Sequence, residues 1–270
     1  MKNAIVAATL VLLGAPLQAQ SVADRAARIE NGVLRMSFPS RPGVCGNGST
    51  WVSFGEGRSR SHFGDFTVTR GKQNEWEQEC EAGPVRVALT IEDREPLSVR
   101  VYVGGNWRPG GDAVTDLGMV PAREAVEYLM AIAERSRGGK TSSKASSNAI
   151  FGAVLADSVT LWPRLMRLAR DEDKPREPRR QAVFWLSQAA GDAATAGLDT
   201  LVGDARLDRE VREHAVFALS QRPRDEGVPA LLRIARTNKD PELRRKAIFW
   251  LGQSEDPRAL ALFEELLGKK

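Results

Sequence analysis

Apolar and polar residues alternate along three stretches in the N-terminal third of the chain. The stretches are LRMSF over 34–38, VRVALTI over 85–91 and VRVYV over 99–103. A period of two is typical of β-strands that bury one face. The polar segment EDREP over 92–96 predicts a turn, so we expect the second and third stretches to pair as a hairpin. Gly-rich segments around them predict loops, and the region is predicted to be a small β-module.

The period changes near Pro121, where helical spacing replaces alternation. Ala125, Leu129, Ile132 and Ala133 fall on one side of a predicted helix that Pro121 can begin. The polar segment that follows contains GGKTS, but it lacks the spacing and the preceding strand of a phosphate-binding loop. We therefore interpret this segment as a loop between two helices.

A repeated apolar sequence dominates the rest of the chain. It reads RQAVFWLSQ from Arg180, EHAVFALSQ from Glu213 and RKAIFWLGQ from Arg245, with a fainter copy, SNAIFGAVL, from Ser147. The first alanines of the copies, Ala149, Ala182, Ala215 and Ala247, are separated by 33, 33 and 32 residues. Two further series keep the same steps: Leu165, Leu198, Leu231 and Phe263, and Leu168, Leu201, Ile234 and Leu266. Such a period predicts stacked units of two helices each.

The last units resemble a known family. DPELRRKAIFWLGQ from Asp240, followed by DPRAL from Asp256, is similar to the short HEAT repeats of the phycobilisome-lyase-like type. The resemblance extends over residues 120–270, although Glu177-Pro178 and Ser146 depart from the pattern in earlier units. It implies a superhelical solenoid. Because this family includes scaffolds, lyases and hydroxylases, the resemblance indicates the fold more strongly than the function.

Helical geometry separates the repeated sequence into two faces. The alanines and leucines lie on the side that packs on neighbouring units, whereas the phenylalanines and glutamines point away from it. The resemblance places these outward residues on the concave surface. The predicted partner-binding set is Phe151, Phe184, Phe217, Phe249, Gln188, Gln221 and Gln253. This set indicates either a peptide-binding groove or rings that bury one another through tight curvature.

Other residues of the repeat are interpreted structurally. Asp208 and Asp240 are predicted to cap the helices that they precede. Arg212 and Arg244 either begin solvated helices or bridge repeats through these aspartates. The two tryptophans of the repeat, Trp185 and Trp250, fall with the core positions.

The first residues have the pattern of a secretory leader. Lys2 precedes an apolar run over 4–17, and Ala19 offers a cleavage site, so residues 1–19 are predicted to be a signal peptide. The alternative is a retained anchor or a buried helix. Export would bring the protein to the periplasm or the extracellular space, which are oxidising compartments. The two cysteines of the chain, Cys45 and Cys80, are then expected to form a disulfide.

Several functional classes are disfavoured by residue content. The net charge is only +4, with 39 basic and 35 acidic residues, so nucleic acid is not implied as a partner. The iron-binding hydroxylases of the resembled family use repeated His-Glu dipeptides, which this sequence lacks. Two His and two Cys residues do not suggest a zinc site, and no GxSxG sequence or Cys/His nucleophile pair is present.

The sequence as a whole predicts an α+β protein. Residues 1–19 form the leader, 20–118 a β-module linked by a disulfide, and 119–270 a HEAT-repeat α-solenoid of four to five helical pairs. The predicted function is an exported, non-enzymatic scaffold without cofactor, metal or membrane span after leader cleavage, which binds a protein or peptide. The alternative is a lyase-like HEAT protein that binds or acts on a small molecule or chromophore.

Overall fold

The structure is a computed structural model of the 270-residue chain. It describes residues 20–49, 51–53, 59–63, 66–70, 80–107, 109, 111, 113–136, 140–188 and 192–268. The predicted leader over 1–19 lies outside the described residues, as do residues 137–139. The interpretation of the whole GGKTS-containing segment as a loop is wrong, because a helix begins at Lys140 and includes the rest of this segment.

A short helix and a four-stranded sheet begin the described chain. Helix α1 is Val22–Ala26, and the strands of this first sheet are β1 (Gly32–Phe38), β7 (Val85–Glu92), β8 (Glu95–Val103) and β9 (Val114–Met119). They are ordered β8-β7-β1-β9, with β1 antiparallel to β7 and parallel to β9. The predicted hairpin is confirmed, because β7 pairs antiparallel with β8. Strand β9 was not recognised from the sequence, since VTDLGM has no clear alternation.

The disulfide lies in a second, five-stranded sheet. Its strands are β2 (Cys45–Gly46), β3 (Trp51–Ser53), β4 (Ser59–Phe63), β5 (Phe66–Arg70) and β6 (Glu81–Ala82), ordered β4-β5-β3-β2-β6. Cys45 is on β2, and Cys80 directly precedes β6, which pairs with β2. The predicted Cys45–Cys80 bond is confirmed, with 5.2 Å between the Cα atoms. It therefore joins two neighbouring strands of the sheet.

The first sheet packs one face against two helices, α2 (Ala122–Arg135) and α3 (Lys140–Val154). The apolar residues of the alternating stretches are buried on this face, as their period predicts. Asn148 on α3 donates a hydrogen bond of 2.8 Å to the carbonyl of Val99 on β8. Gly152 allows close approach, because a Cβ there would lie 3.3 Å from a methyl group of Val101. The core thus continues across the domain boundary predicted at residue 118.

Seven further helices follow among the described residues. They are α4 (Trp162–Arg170), α5 (Arg176–Ser187), α6 (Asp192–Gly203), α7 (Arg209–Ser220), α8 (Arg224–Thr237), α9 (Pro241–Gly252) and α10 (Pro257–Gly268). α4 pairs with α5, α6 with α7, and α8 with α9, while α3, α5, α7 and α9 stack one against the next. The repeated sequence therefore lies on four neighbouring helices, and the four alanines used to align its copies are all fully buried.

Two aspartates were predicted to cap helices, and they behave differently. The carboxylate of Asp240 accepts the N–H of Glu242 at 3.0 Å and caps α9, as predicted. Asp208 occupies the N-cap position of α7, as predicted, but its side chain makes no capping hydrogen bond. Its carboxylate instead accepts a hydrogen bond from Arg179 on α5, which draws it toward the preceding repeat.

Candidate functional site

The phenylalanines of the repeated sequence differ in exposure although they occupy equivalent positions. Phe151 on α3 is 1% exposed, Phe184 on α5 and Phe217 on α7 are partly buried, and Phe249 on α9 is 56% exposed. The ring of Phe151 stacks on Trp185 of the next helix, with centroids 5.5 Å apart. Phe151 therefore belongs to the core and does not extend the predicted ladder, because α3 is enclosed by the sheet and by α5.

Trp250 packs against the phenylalanines of the last two copies of the repeated sequence. Its centroid is 5.0 Å from that of Phe217 on α7 and 5.0 Å from that of Phe249 on its own helix. The interpretation of the tryptophans as core residues holds for Trp185, which is fully buried. Trp250 is only partly buried, because within the described chain α9 is the last member of the stacked row. We call Phe184, Phe217, Phe249 and Trp250 the aromatic face.

A cavity of about 500 Å³ opens between α7 and α9. Phe217, Phe249 and Trp250 provide its apolar surface, and charged side chains of the two helices surround it. The Lys246 ammonium lies 3.2 Å from the carboxylate of Glu213, so these two charges offset each other across the helices. The aromatic side chains thus provide the apolar part of the lining of this cavity.

The charged side chains beside the aromatic face are paired with one another. Arg245 donates to Glu242, and this hydrogen bond lowers the pKa of the Glu242 carboxyl. Arg180 on α5 lies 3.3 Å from Glu210 on α7 and donates to Nε2 of His214 at 3.0 Å. His214 therefore carries its hydrogen on Nδ1, which donates to the carbonyl of Glu210 at 2.8 Å. Paired charges of both signs leave this surface without a strong net charge.

The predicted glutamines end their helices and do not line the 500 Å³ cavity. Gln188, Gln221 and Gln253 are the C-cap residues of α5, α7 and α9. The amide of Gln188 donates to Ser187 at 2.7 Å, and that of Gln221 donates to Ser220 at 3.1 Å.

Two further cavities open at these helix ends. Gln221 and Gln253 line a cavity of about 620 Å³, and Gln188 lines one of about 400 Å³ beside Trp185. Trp250 lines both the 500 Å³ and the 620 Å³ cavities, so it connects the phenylalanines with the glutamines.

Two arginines, the buried Arg179 and the partly buried Arg212, connect successive repeats. Arg179 on α5 is 2% exposed, and its Nη1 donates to Asp208 of the next repeat at 2.8 Å. Arg212 on α7 repeats this relationship, because its Nη1 lies 3.4 Å from Asp240. Sequence reasoning missed Arg179, although its spacing of 33 residues from Arg212 was a usable signal.

Arg244 does not make the bridge between repeats that was considered for it. Its Nη1 donates to the carbonyls of Asn238 at 2.7 Å and Lys239 at 3.2 Å, within the same repeat. Both bridges between repeats run forward along the chain, because Arg179 and Arg212 each pair with the aspartate at the start of the following repeat. The two aspartates at these capping positions, Asp208 and Asp240, are already bonded to those arginines.

The described residues show neither a metal site nor a membrane-spanning helix. Among them, no three or more His, Cys, Asp or Glu side chains are grouped so that they could hold a metal ion. No helix in the described ranges combines the length and the apolar character that crossing a membrane requires.

Comparison with known proteins identifies the type of the C-terminal repeats. A family model for HEAT repeats matches residues 204–270. This range contains α7 to α10, and therefore also Phe217, Phe249 and Trp250. No curated protein and no solved structure matches the chain. HEAT repeats in general serve as protein-binding scaffolds. The match identifies HEAT repeats within residues 204–270.

Proposed function

We propose that this protein is an exported, non-enzymatic adaptor that binds a protein or peptide partner at the aromatic face. The partner would lie on the concave surface of a superhelical solenoid formed by the stacked repeats. The observation that carries the proposal is the cavity of about 500 Å³ between Phe217, Phe249 and Trp250.

Exposure of Phe249 supports a binding role. Its ring is 56% exposed, although fully burying a phenylalanine side chain stabilises by about 1.5–3 kcal/mol relative to leaving it in water. Stacking of the repeats does not need this ring, because the buried positions of α9 are Leu243, Ala247 and Leu251. A partner that buries Phe249 would gain this free energy of burial on binding.

The charge arrangement indicates what kind of partner would fit. The Lys246–Glu213 pair and the Arg245–Glu242 pair neutralise the edge of the cavity. Electrostatic steering by such paired charges is weak. We therefore propose a peptide segment with an aromatic or branched aliphatic side chain that enters between the rings of Phe217 and Phe249.

Selection from a displayed peptide library would test this proposal. The bait is the protein without residues 1–19, prepared under oxidising conditions so that the Cys45–Cys80 bond forms. Selected peptides should carry a large apolar side chain, and Phe249→Ala should bind them at least about tenfold more weakly. Leu260→Ala is the matched control, because Leu260 is 59% exposed on α10 and outside the aromatic face. Equal binding by the wild type and Phe249→Ala would contradict the proposal.

Export is supported by the leader-like pattern of residues 1–19 and is consistent with the disulfide, which persists in oxidising compartments. Expression of the full chain in a bacterial host, followed by mass determination of the protein in each compartment, would test it. The exported protein should begin at Gln20. A chain that retains Met1 and remains in the cytoplasm would contradict export.

The alternative is a lyase-like HEAT protein that binds a small molecule or chromophore in the same cavity. Its specific support is the cavity volume, because pockets for small ligands occupy about 300–1,000 Å³. Native mass spectrometry and absorbance spectra of the purified protein would test it. A bound mass that is lost with Phe249→Ala, together with failure to select peptides, would favour this alternative.

A further inference from the structure

A pocket on the β-module combines three arginines from neighbouring strands. Arg35, Ala88 and Arg100 lie side by side across β1, β7 and β8 on the face opposite to α2 and α3. Strands are about 4.8 Å apart, so the Cα atoms of the two arginines are separated by about 10 Å. The short side chain of Ala88 leaves space between them, and a cavity of about 450 Å³ opens there.

Arg86 forms the closed side of this pocket. It lies on the same face two residues before Ala88 and is 4% exposed. Its Nη2 donates to the carbonyl of Gly104 and, at 3.3 Å, to that of Gly48. Its Nε is buried and has no hydrogen-bond partner among the described residues. Burial lowers the pKa of the Arg86 guanidinium, and the nearby Glu81 carboxylate only partly opposes this effect.

Trp107 holds two of the arginines in place. The guanidinium carbons of Arg35 and Arg86 are each 4.9 Å from the centroid of its indole ring. Tyr102 packs edge-on against Trp107, with centroids 5.9 Å apart. The indole N–H of Trp107 is also buried, and no residue in the described part of the chain accepts its hydrogen bond. Two buried donors, one on Arg86 and one on Trp107, are therefore left for an acceptor that the described residues do not provide.

Two glycines permit this arrangement of the chain. Gly48 and Gly105 have φ values of +71° and +63°, which favour glycine. A Cβ at either position would lie 3.3 or 3.2 Å from Nη2 of Arg86. Replacement by a larger residue would therefore crowd the buried guanidinium.

Contact with Trp107 explains the placement of Arg35 and Arg86, but it does not involve Arg100. Arg100 is exposed at the edge of the pocket and makes no hydrogen bond or ion pair with any residue that the structure describes. The described residues that line the pocket include no carboxylate. Asp116 lies beside Arg35 on β9, outside this lining, and its carboxylate keeps its negative charge while it accepts the N–H of Gly118 at 2.8 Å. The described residues that line the pocket thus include three guanidinium groups and no negatively charged group.

We propose that this arginine pocket, formed by Arg35, Arg86, Ala88, Arg100, Tyr102 and Trp107, binds the phosphate or sulfate group of a small molecule. An esterified phosphate or sulfate group has three terminal oxygens in a tetrahedral arrangement, which can accept from several guanidinium groups at once, whereas a carboxylate has two. The volume exceeds that of a bare ion, so an ester with a small polar body fits. The site is independent of the aromatic face and does not rest on the proposed adaptor function.

Calorimetric titration with inorganic phosphate and with sulfate would test this inference. Chloride keeps the ionic strength constant, and the protein is the oxidised chain without residues 1–19. We expect saturable binding that weakens at least about tenfold in Arg100→Gln. The matched control is Arg94→Gln, because Arg94 is exposed on the β7–β8 turn and pairs only with Glu30 among the described residues. This control should bind as the wild type does.

Three outcomes would contradict the proposal. No saturable binding at about 10 mM phosphate or sulfate would overturn the proposal. Equal weakening in Arg100→Gln and Arg94→Gln would overturn it too, because the effect would then reflect net charge. Saturation by acetate without binding of phosphate or sulfate would contradict a tetrahedral oxyanion. Arg100 is exposed, so the loss of its side chain should leave the fold intact, and thermal unfolding of both variants would verify this.

Discussion

The indole ring of Trp250 on α9 packs against the phenyl ring of Phe217 on α7, with centroids 5.0 Å apart. Trp185 on α5 also packs against the phenylalanine of the preceding helix, Phe151 on α3, but the two rings are stacked, with centroids 5.5 Å apart. Between these two pairs, α7 carries Ala218 where α5 and α9 carry tryptophan. The extent to which each phenylalanine of the row is buried therefore depends on the residue that the next helix places against its ring. Phe249 is the last ring of this row in the described chain and is the most exposed of the four.

Equivalent phenylalanines should contribute very differently to stability. Phe151→Ala removes a fully buried ring and should lower the free energy of unfolding by about 3–5 kcal/mol. Phe249→Ala removes an exposed ring and should change it by less than about 1 kcal/mol. Urea unfolding followed by circular dichroism would measure both. Similar losses in the two variants would contradict the burial described for this row.

The disulfide should stabilise the β-module substantially. The bond joins Cys45 and Cys80, which are 35 residues apart, and the chain-entropy estimate for such a loop is about 3–4 kcal/mol. Cys45→Ala with Cys80→Ala should lower the urea midpoint accordingly. The oxidised wild type should gain the mass of two hydrogens on reduction, which checks the bond independently. A variant as stable as the oxidised protein would contradict the estimate.

The Arg179–Asp208 pair should couple two repeats. Arg179 is buried, whereas the Asp208 side chain is 42% exposed, so solvent reduces their interaction. We expect a coupling free energy of about 1 kcal/mol from a double-mutant cycle with Arg179→Met and Asp208→Asn. The exposed pair Arg176–Glu210 is the control and should give about 0–0.5 kcal/mol. Equal coupling in both cycles would contradict the role of burial.

Acid should weaken the start of α10 through Asp256. Hydrogen bonds from Arg258 lower the pKa of the Asp256 carboxyl from its ordinary 3.8 to about 2. A carboxyl with a lower pKa in the folded state stabilises that state above its unfolded pKa, and this contribution disappears as the pH falls toward 2. The unfolding free energy should therefore fall between about pH 4 and pH 2. Asp256→Asn should reduce this slope, as urea midpoints across that range would show.

Partner binding at the aromatic face should depend weakly on salt. The charges beside the cavity pair with one another, as in Lys246–Glu213, so few are free to attract a charged partner. The affinity for a selected peptide should change less than about threefold between 50 and 500 mM salt. Fluorescence anisotropy of a labelled peptide would measure it. A steep loss of affinity with salt would indicate recognition by charge.

The sequence by itself determined the local elements and the register of the repeats. Alternation identified β1, β7 and β8, and the steps between Ala149, Ala182, Ala215 and Ala247 aligned helices that do stack. The presence of only two cysteines predicted the disulfide between them, and the position of Asp240 before α9 predicted that it caps this helix. These features depend on residues near in sequence, or on a choice among very few partners. A periodic pattern is sufficient to encode them.

Only the tertiary structure decided which equivalent residues are exposed and which side chains meet across the fold. Phe151 and Phe249 have the same position in the repeat, but only Phe151 is enclosed between α5 and the sheet. Arg35, Arg86 and Trp107 come together because β1 pairs with β7 and the loop after β8 returns over that face. The physical reason is that burial depends on neighbours distant in sequence, whereas helical and strand periods depend on backbone geometry alone.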